Sequence, residues 1–257
     1  MTDVNALVVR SAGTNCDAEL VRAFELAGAS VRLAHVDALI ADPSALDGFD
    51  LIGFPGGFSY GDDIAAGRVL ASKVRERLAP KLREIARRGV PMIGVCNGFQ
   101  VLVQAGLLPT IDDETITAAL VENSGGRFID NWPGIEIPES DCLWTRGLTG
   151  TSETLRFPIA NGEGRFVTAD AAALSELESN KQVAVRYATD VNGSANNIAG
   201  ICDPSGRIFG LMPHPERYLE WRHHPSWTRL DGALTSEETI GMKLFRNGVD
   251  AARAVLA

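Results

Sequence analysis

The stretch 90–108, VPMIGVCNGFQVLVQAGLL, constrains this chain more than any other. An apolar run over Met92–Val95 stops at Cys96. A helical pattern carried by Phe99, Val101, Leu102 and Val103 begins at once. Gly94 and Gly98 flank the cysteine as G-x-C-x-G, the cysteine form of a nucleophile elbow, which is a sharp turn from a buried strand into a helix. The glycines let that turn tighten and let neighbouring backbone approach. The turn lifts the sulfur onto the positive end of the helix, where the thiolate, the nucleophilic form, is favoured. A lone cysteine at a strand end is more often a core residue. The two glycines and the strand-to-helix switch favour the nucleophile, provided that a base exists elsewhere.

Upstream, residues 6–12 read as a buried strand. Residues 16–26 read as a helix with Leu20, Val21, Phe24 and Leu26 on its apolar side and Gly28 as its stop. Residues 31–36 and 50–54 read as the next two strands, the latter ending in PGGFSYGDD. Residues 71–88 form one amphipathic pattern, with Pro80 as a kink or break. Strand and helix alternating at this spacing predict an α/β fold: a doubly wound, mostly parallel central sheet with helices on both faces. Ligands in such sheets bind at the carboxyl ends of strands, and both PGG and Cys96 lie at such ends. After Pro109 the pattern changes. Segments 118–122, 127–132, 155–160, 165–168 and 183–188 read as short strands, antiparallel additions to the sheet. Segments 198–202 and 207–212 flank Asp203-Pro204-Ser205-Gly206, a hairpin signal, and the second arm runs into PHPER. Residues 218–232 read as a loop excursion, and Ser236 caps a last helix over 237–256. No repeat or linker divides the chain, so the expectation is one domain, 1–257, with loop insertions near 109–150 and 218–232.

A net charge of -9 with no basic stripe argues against nucleic acid as a partner. Lys81, Arg83, Arg87 and Arg88 alternate with Glu76 and Glu84, the pattern of a solvated helix face. No apolar run is long enough for a bilayer, so no membrane is expected. The start, MTDVNALVV, lacks the charged and apolar regions of a signal peptide. Cys16, Cys96, Cys142 and Cys202 have no metal-ligand spacing, and a reducing, cytoplasmic compartment is the default.

A thiol nucleophile needs a base and a group to orient it. Of His35, His214, His223 and His224, His214 ends an apolar strand in GLMPHPER. Glu216 lies two residues on. An extended backbone, held by Pro213 and Pro215, would point both side chains the same way and let the carboxylate fix the imidazole tautomer. An isolated H-x-E is more often a surface turn; its pairing with G-x-C-x-G in a parallel sheet favours the catalytic reading. His223 and His224, beside Trp221 and Trp227, point apart and are too few for a metal, so no metal site is expected. The backbone N–H groups of Gly57 and Asn97 would form an oxyanion hole; losing one such donor costs about 3 kcal/mol. A glycine-rich turn alone is common, and PGG counts because the fold puts it beside Cys96.

PGG, GVCNGFQ and PHPE in that order resemble the class I (triad) glutamine amidotransferases. The details are similar to the glutaminase subunits of phosphoribosylformylglycinamidine synthases. The matching stretches are 13–17, 55–63, 94–109, 158–166 and 192–217. The resemblance implies that Cys96 attacks the side-chain amide of glutamine and that His214, held by Glu216, protonates the departing ammonia. Water then cleaves the thioester. It implies a partner, the formylglycinamidine ribonucleotide synthase large subunit, alone or with a small accessory subunit, which receives the ammonia and carries ATP and Mg. No cofactor is expected in this chain, which shows no P-loop. Gly56, Gln100, Asn161, Gly162 and Glu163 fall where such domains hold glutamine. The family usually has His at position 161, so any grip there rests on backbone. Cys16 reads as a structural residue of the first-strand loop. Another acceptor for the ammonia, a cysteine hydrolase acting without a partner, and a non-catalytic binding subunit remain open on sequence.

Overall fold

The protein is described by a computed structural model over residues 3–113, 115–230 and 238–256. Four parallel strands open the chain: β1 (Val4–Arg10), β2 (Ala29–His35), β3 (Leu51–Phe54) and β4 (Met92–Val95). Every residue of β3 and β4 is buried, as befits strands covered on both faces, whose sequences are continuous apolar runs. The crossovers contain α1 (Asp17–Leu26), α2 (Val36–Ala41), α3 (Arg68–Arg77) and α4 (Ala79–Arg87), and β4 leads directly into α5 (Asn97–Gln104). α1 has Asp17 and Glu19 in its first turn, where acidic groups suit the positive helix end, and buries Leu20, Ala23 and Phe24. The pattern over 71–88 resolves into two helices that part at Leu78. Pro80 falls in the first turn of α4, where its missing N–H has no intrahelical acceptor to lose; inside one continuous helix its ring would clash with the preceding turn.

The second half adds β5 (Ala118–Val121), β6 (Ile129–Asn131), β7 (Ile135–Glu136), β8 (Ile159–Asn161), β9 (Arg165–Thr168), β10 (Val183–Tyr187), β11 (Ile198–Cys202) and β12 (Ile208–Leu211). The central sheet runs β2-β1-β3-β4-β12-β11-β10-β7. β12 is parallel to β4, and the strands beyond it are antiparallel. The antiparallel additions are therefore real but narrower than expected. Of the five short segments predicted between 118 and 188, only β10 joins the sheet. β5 pairs with β9 and β6 with β8 as separate two-stranded ladders. β8 begins after Pro158, which has no N–H to give a ladder. The β11–β12 hairpin matches expectation. Asp203 closes its turn by accepting from the backbone of Ser205, Arg207 and Ile208.

Register positions the site. Val95 lies beside Leu211, and Phe54 beside Gly94. Cys96, the segment entering His214 and the glycines after Pro55 therefore leave the sheet at one edge. A helix not foreseen from the sequence, α6 (Ala171–Ser179), starts at Asp170, whose side chain accepts from Ala173 N at 2.8 Å. The last helix, α7 (Ile240–Val255), is capped by Thr239, whose hydroxyl accepts from Met242 N at 3.2 Å; Ser236 and Glu237 lie outside the described residues, as does the end of the predicted 218–232 excursion. Within 218–230 the chain makes two short 3₁₀ turns, Trp221–His223 and Trp227–Arg229. Trp132 packs edge-on against Tyr218 at 5.3 Å and against His224 at 5.8 Å, so the two predicted insertions pack on each other. No helix among the described residues is long and apolar enough to cross a membrane.

Trp144 anchors the segment 109–150 to the core: it is fully buried, its indole N–H donates to Arg207 O at 2.9 Å, and it stacks on Phe209. Trp144→Ala should lower unfolding free energy by about 3–5 kcal/mol, the usual cost of a large core cavity. Urea denaturation measures it, and a loss below about 1 kcal/mol would contradict this anchoring role.

Candidate active site

The elbow at Cys96 is built by close approach. An ideal Cβ on Gly98 would lie 1.9 Å from Phe54 O, and one on Gly94 would lie 2.6 Å from Gly98 O; only glycine allows α5 to start so near β3. Cys96 itself has φ 52 and ψ -108, a conformation that side-chain-bearing residues adopt when surrounding structure forces it, as nucleophile elbows do. Its N–H donates to Leu211 O at 2.8 Å, which ties the elbow to the end of β12.

Three residues beyond Leu211, His214 Nδ1 lies 2.6 Å from Glu216 Oε1, and both side chains are almost wholly buried. The backbone between them corrects the sequence expectation. It is not extended: Pro215–Arg217 form a 3₁₀ turn, with Arg217 N donating to His214 O at 3.2 Å. Pro215 begins that turn without loss because a first-turn N–H needs no intrahelical partner. The turn brings imidazole and carboxylate together as an extended dipeptide would have done.

Burial alone would lower the pKa of His214, but the Glu216 carboxylate and the Cys96 sulfur outweigh it and hold the imidazole well above its ordinary range. A base held in its protonated form can hand that proton to a leaving group. His214 Nε2 is buried and has no hydrogen-bond partner among the described residues. A Cβ on Gly56 would meet His214 Cε1 at 2.8 Å, Cys16 Sγ at 3.2 Å and Cys96 Cβ at 3.3 Å. Gly56 is thus the point around which the imidazole, the Cys16 sulfur and the Cys96 side chain converge. They border a pocket of about 180 Å³ that Gly57, Phe58, Phe128, Ala160 and Arg217 also line.

Cys16 and Arg217 are residues that sequence reasoning missed in this role. Cys16 Sγ accepts from Arg217 Nη2 at 3.1 Å and donates to Asn15 Oδ1 at 3.2 Å. Burial raises its pKa and keeps it a neutral thiol despite the arginine. The available signal was topological: GTNCD follows β1, the sheet neighbour of β3. Cys16, His214 and Glu216 have donor atoms within 4.8 Å of one another, and His214 Nδ1 is bonded to Glu216 Oε1.

Gly57 reaches the pocket with φ +133. Its turn is pinned to the loop after β1 by Cys16 N donating to Gly56 O and Phe58 N to Gly13 O. Asn97 is the first residue of α5, where backbone N–H groups lack intrahelical acceptors. The predicted substrate residues Gly56, Gln100, Asn161, Gly162 and Glu163 are not among those that line this pocket. Ala160 faces it, so strand alternation turns the Asn161 side chain to the other side. There it packs against Gly164, with both its polar atoms unpartnered among the described residues. Gln100 donates through Nε2 to Glu163 O at 2.6 Å, and Gly162 O accepts from Asn123 N at 2.9 Å.

The sequence profile of the CobB/CobQ-like glutamine amidotransferase domain matches residues 3–250. The chain is 42% identical to the phosphoribosylformylglycinamidine synthase subunit PurQ of Dehalococcoides mccartyi, covering 99% of this chain and 100% of that one. A chain in the structure of PurLQS from Thermotoga maritima superposes with TM-score 0.73 at 34% identity, covering 97% of this chain and 99% of that one. A glutamine amidotransferase from the same organism shares the fold at TM-score 0.56 and 18% identity, covering 100% of this chain and 100% of that chain.

Two measurements test the geometry. Iodoacetamide should modify Cys96 before Cys142 and Cys202, which do not reach the pocket; equal labelling by mass spectrometry would contradict an activated elbow. Glu216→Gln removes the charge that offsets burial, so the His214 imidazole should lose its proton at a lower pH than in the parent chain. Histidine NMR titration reads that shift, and an unmoved or rising midpoint would refute the proposed balance.

Proposed function

Given that this chain belongs to the CobB/CobQ-like glutamine amidotransferase family, we propose that it is the glutaminase subunit of a phosphoribosylformylglycinamidine synthase. It hydrolyses glutamine in the cytoplasm and supplies ammonia for purine biosynthesis. The observation that carries this reading is the buried pair of His214 and Glu216 at 2.6 Å, on the pocket that Cys96 borders. The reading of the synthase as partner is supported by 42% identity along the full length of a relative bearing that name.

The chemistry runs in two halves. The Cys96 sulfur attacks the amide carbon of the glutamine side chain, and the carbonyl π electrons move onto oxygen. The resulting oxyanion is held by the N–H groups of Gly57 and Asn97, preorganised donors worth about 3 kcal/mol each in such sites. His214 gives its proton to the amide nitrogen, the C–N bond breaks and ammonia departs, leaving a γ-glutamyl thioester. The imidazole, now neutral, takes a proton from water as water attacks the thioester; the C–S bond breaks and glutamate leaves. Glu216 keeps the imidazole in one tautomer and stabilises its charged form. Gly56 and the segment 161–163, with Gln100 behind it, shape the region for the rest of the glutamine.

The ammonia passes to the synthase large subunit, which converts formylglycinamide ribonucleotide to formylglycinamidine ribonucleotide. ATP and Mg act on that partner, and this chain brings no cofactor. In the reconstituted complex, Cys96→Ala should lower glutamine-dependent synthesis by at least about 10³-fold, as loss of a nucleophile does, and leave synthesis from added ammonia within about 2-fold. Loss of both activities would contradict the division of labour. Robust hydrolysis of non-glutamine amides by the chain alone would point instead to a stand-alone hydrolase.

A further inference from the structure

The Asn97 backbone serves the site through its N–H, and its side chain is separate from that role. The carboxamide is 3% exposed, and both of its ends are engaged. Oδ1 accepts from Ser59 N at 3.3 Å; Nδ2 donates to Asp62 Oδ1 at 3.1 Å and to Gln100 Oε1 at 3.0 Å. A carboxamide in a first helical turn ordinarily finds partners in its own turn. Here two of three partners belong to a different segment, the loop that begins at Gly57.

That loop needs holding. Tyr60, Asp62 and Ile64 have φ of 55, 52 and 75, a left-handed region that residues with side chains rarely adopt, least of all a β-branched one. Ile64 is 83% exposed, so no apolar burial compensates. Polar contacts close the segment instead. Asp62 Oδ1 also accepts from Gly67 N at 3.2 Å, and Glu163 Oε2 accepts from Ala66 N at 3.2 Å. Since Gln100 donates to Glu163 O, the network joins the Gly57 loop, the elbow and the 161–164 turn through Asn97.

We propose that the Asn97 side chain is a positioning residue for the oxyanion hole: by fastening the Gly57 loop to the elbow, it fixes the separation of the two N–H donors that face the developing oxyanion. The inference rests on the glutaminase reading and deepens it. Oxyanion donors act at 2.7–3.1 Å, so a loop released by even one ångström would weaken the transition state far more than it would weaken glutamine binding.

The test uses the assembled synthase and glutamate γ-semialdehyde. The Cys96 sulfur adds to the aldehyde carbon, and the former carbonyl oxygen occupies the oxyanion position. Asn97→Ala keeps the backbone N–H and removes all three side-chain bonds. The expected result is a kcat for glutamine hydrolysis about 10- to 100-fold lower, KM within about 3-fold, and aldehyde affinity reduced by the same factor as kcat/KM. The rate of Cys96 alkylation should hold, reporting an intact elbow. Asn97→Asp sets a carboxylate against Asp62 and should be as damaging, and adding Asp62→Asn to it should recover part of the loss. Parent-like kcat and aldehyde affinity in Asn97→Ala would overturn the inference alone, as would a matching loss of Cys96 alkylation. Parent complex that binds the aldehyde no better than Cys96→Ala would overturn the glutaminase reading, and the inference with it.

Discussion

The hydrogen bond from Cys96 N to Leu211 O is the constraint from which the site follows. It fastens the residue that turns off β4 to the last residue of β12. The parallel register of Val95 with Leu211 leaves little choice about where the next residues go. One chain turns sharply into α5; the other continues three residues to His214. On the far side of β4, β3 ends at Phe54, and its PGG turn reaches the same edge. Three segments separated by some forty to a hundred and twenty positions thus converge because strands in register must end together. The sheet supplies the rigidity that a nucleophile, base and donor pair need.

Electrostatically, the site is a buried contest. Taking an imidazole and a carboxylate out of water is costly, and their attraction repays it only in good geometry. At 2.6 Å the pair meets that condition, and the outcome is a His214 that prefers its charged form. Cys16, with Arg217 at hand, goes the other way, because burial dominates there and keeps it a thiol. Both cysteines stand at the N-terminal end of a helix, Cys16 before α1 and Cys96 before α5, so their difference in role comes from what surrounds each side chain.

The parts legible in the sequence were those encoded locally. Apolar runs marked β1, β3, β4 and β12; G-x-C-x-G marked the elbow; Asp203 to Gly206 marked the hairpin. His214 and Glu216 were identifiable as a pair, although the backbone linking them is a 3₁₀ turn, since two prolines exclude neither geometry. What was hidden depends on tertiary contact. Cys16 carries no local sign that β1 ends beside β3. Short segments such as 118–121 and 165–168 have strand composition, but composition does not say which strand they pair with. α6 had a readable start in Asp170 followed by alanines, a capping signal that its small apolar content obscured. The role of the Asn97 carboxamide is invisible in sequence, since two of its three partners, Ser59 and Asp62, lie nearly forty residues upstream.

The central sheet also has two unequal margins. On one side β2 presents seven residues. On the other, β7 contributes only Ile135 and Glu136, with Pro133 and Pro138 close by to deny further N–H donors. Yet those two residues cover Arg186 and Tyr187 of β10, whose sequence, VAVRY, is buried at four of five positions. The segment 109–150 is in this sense a hem. Without it the sheet would finish on an apolar, β-branched strand with open backbone groups, the kind of edge on which a second chain adds and fibrous association begins.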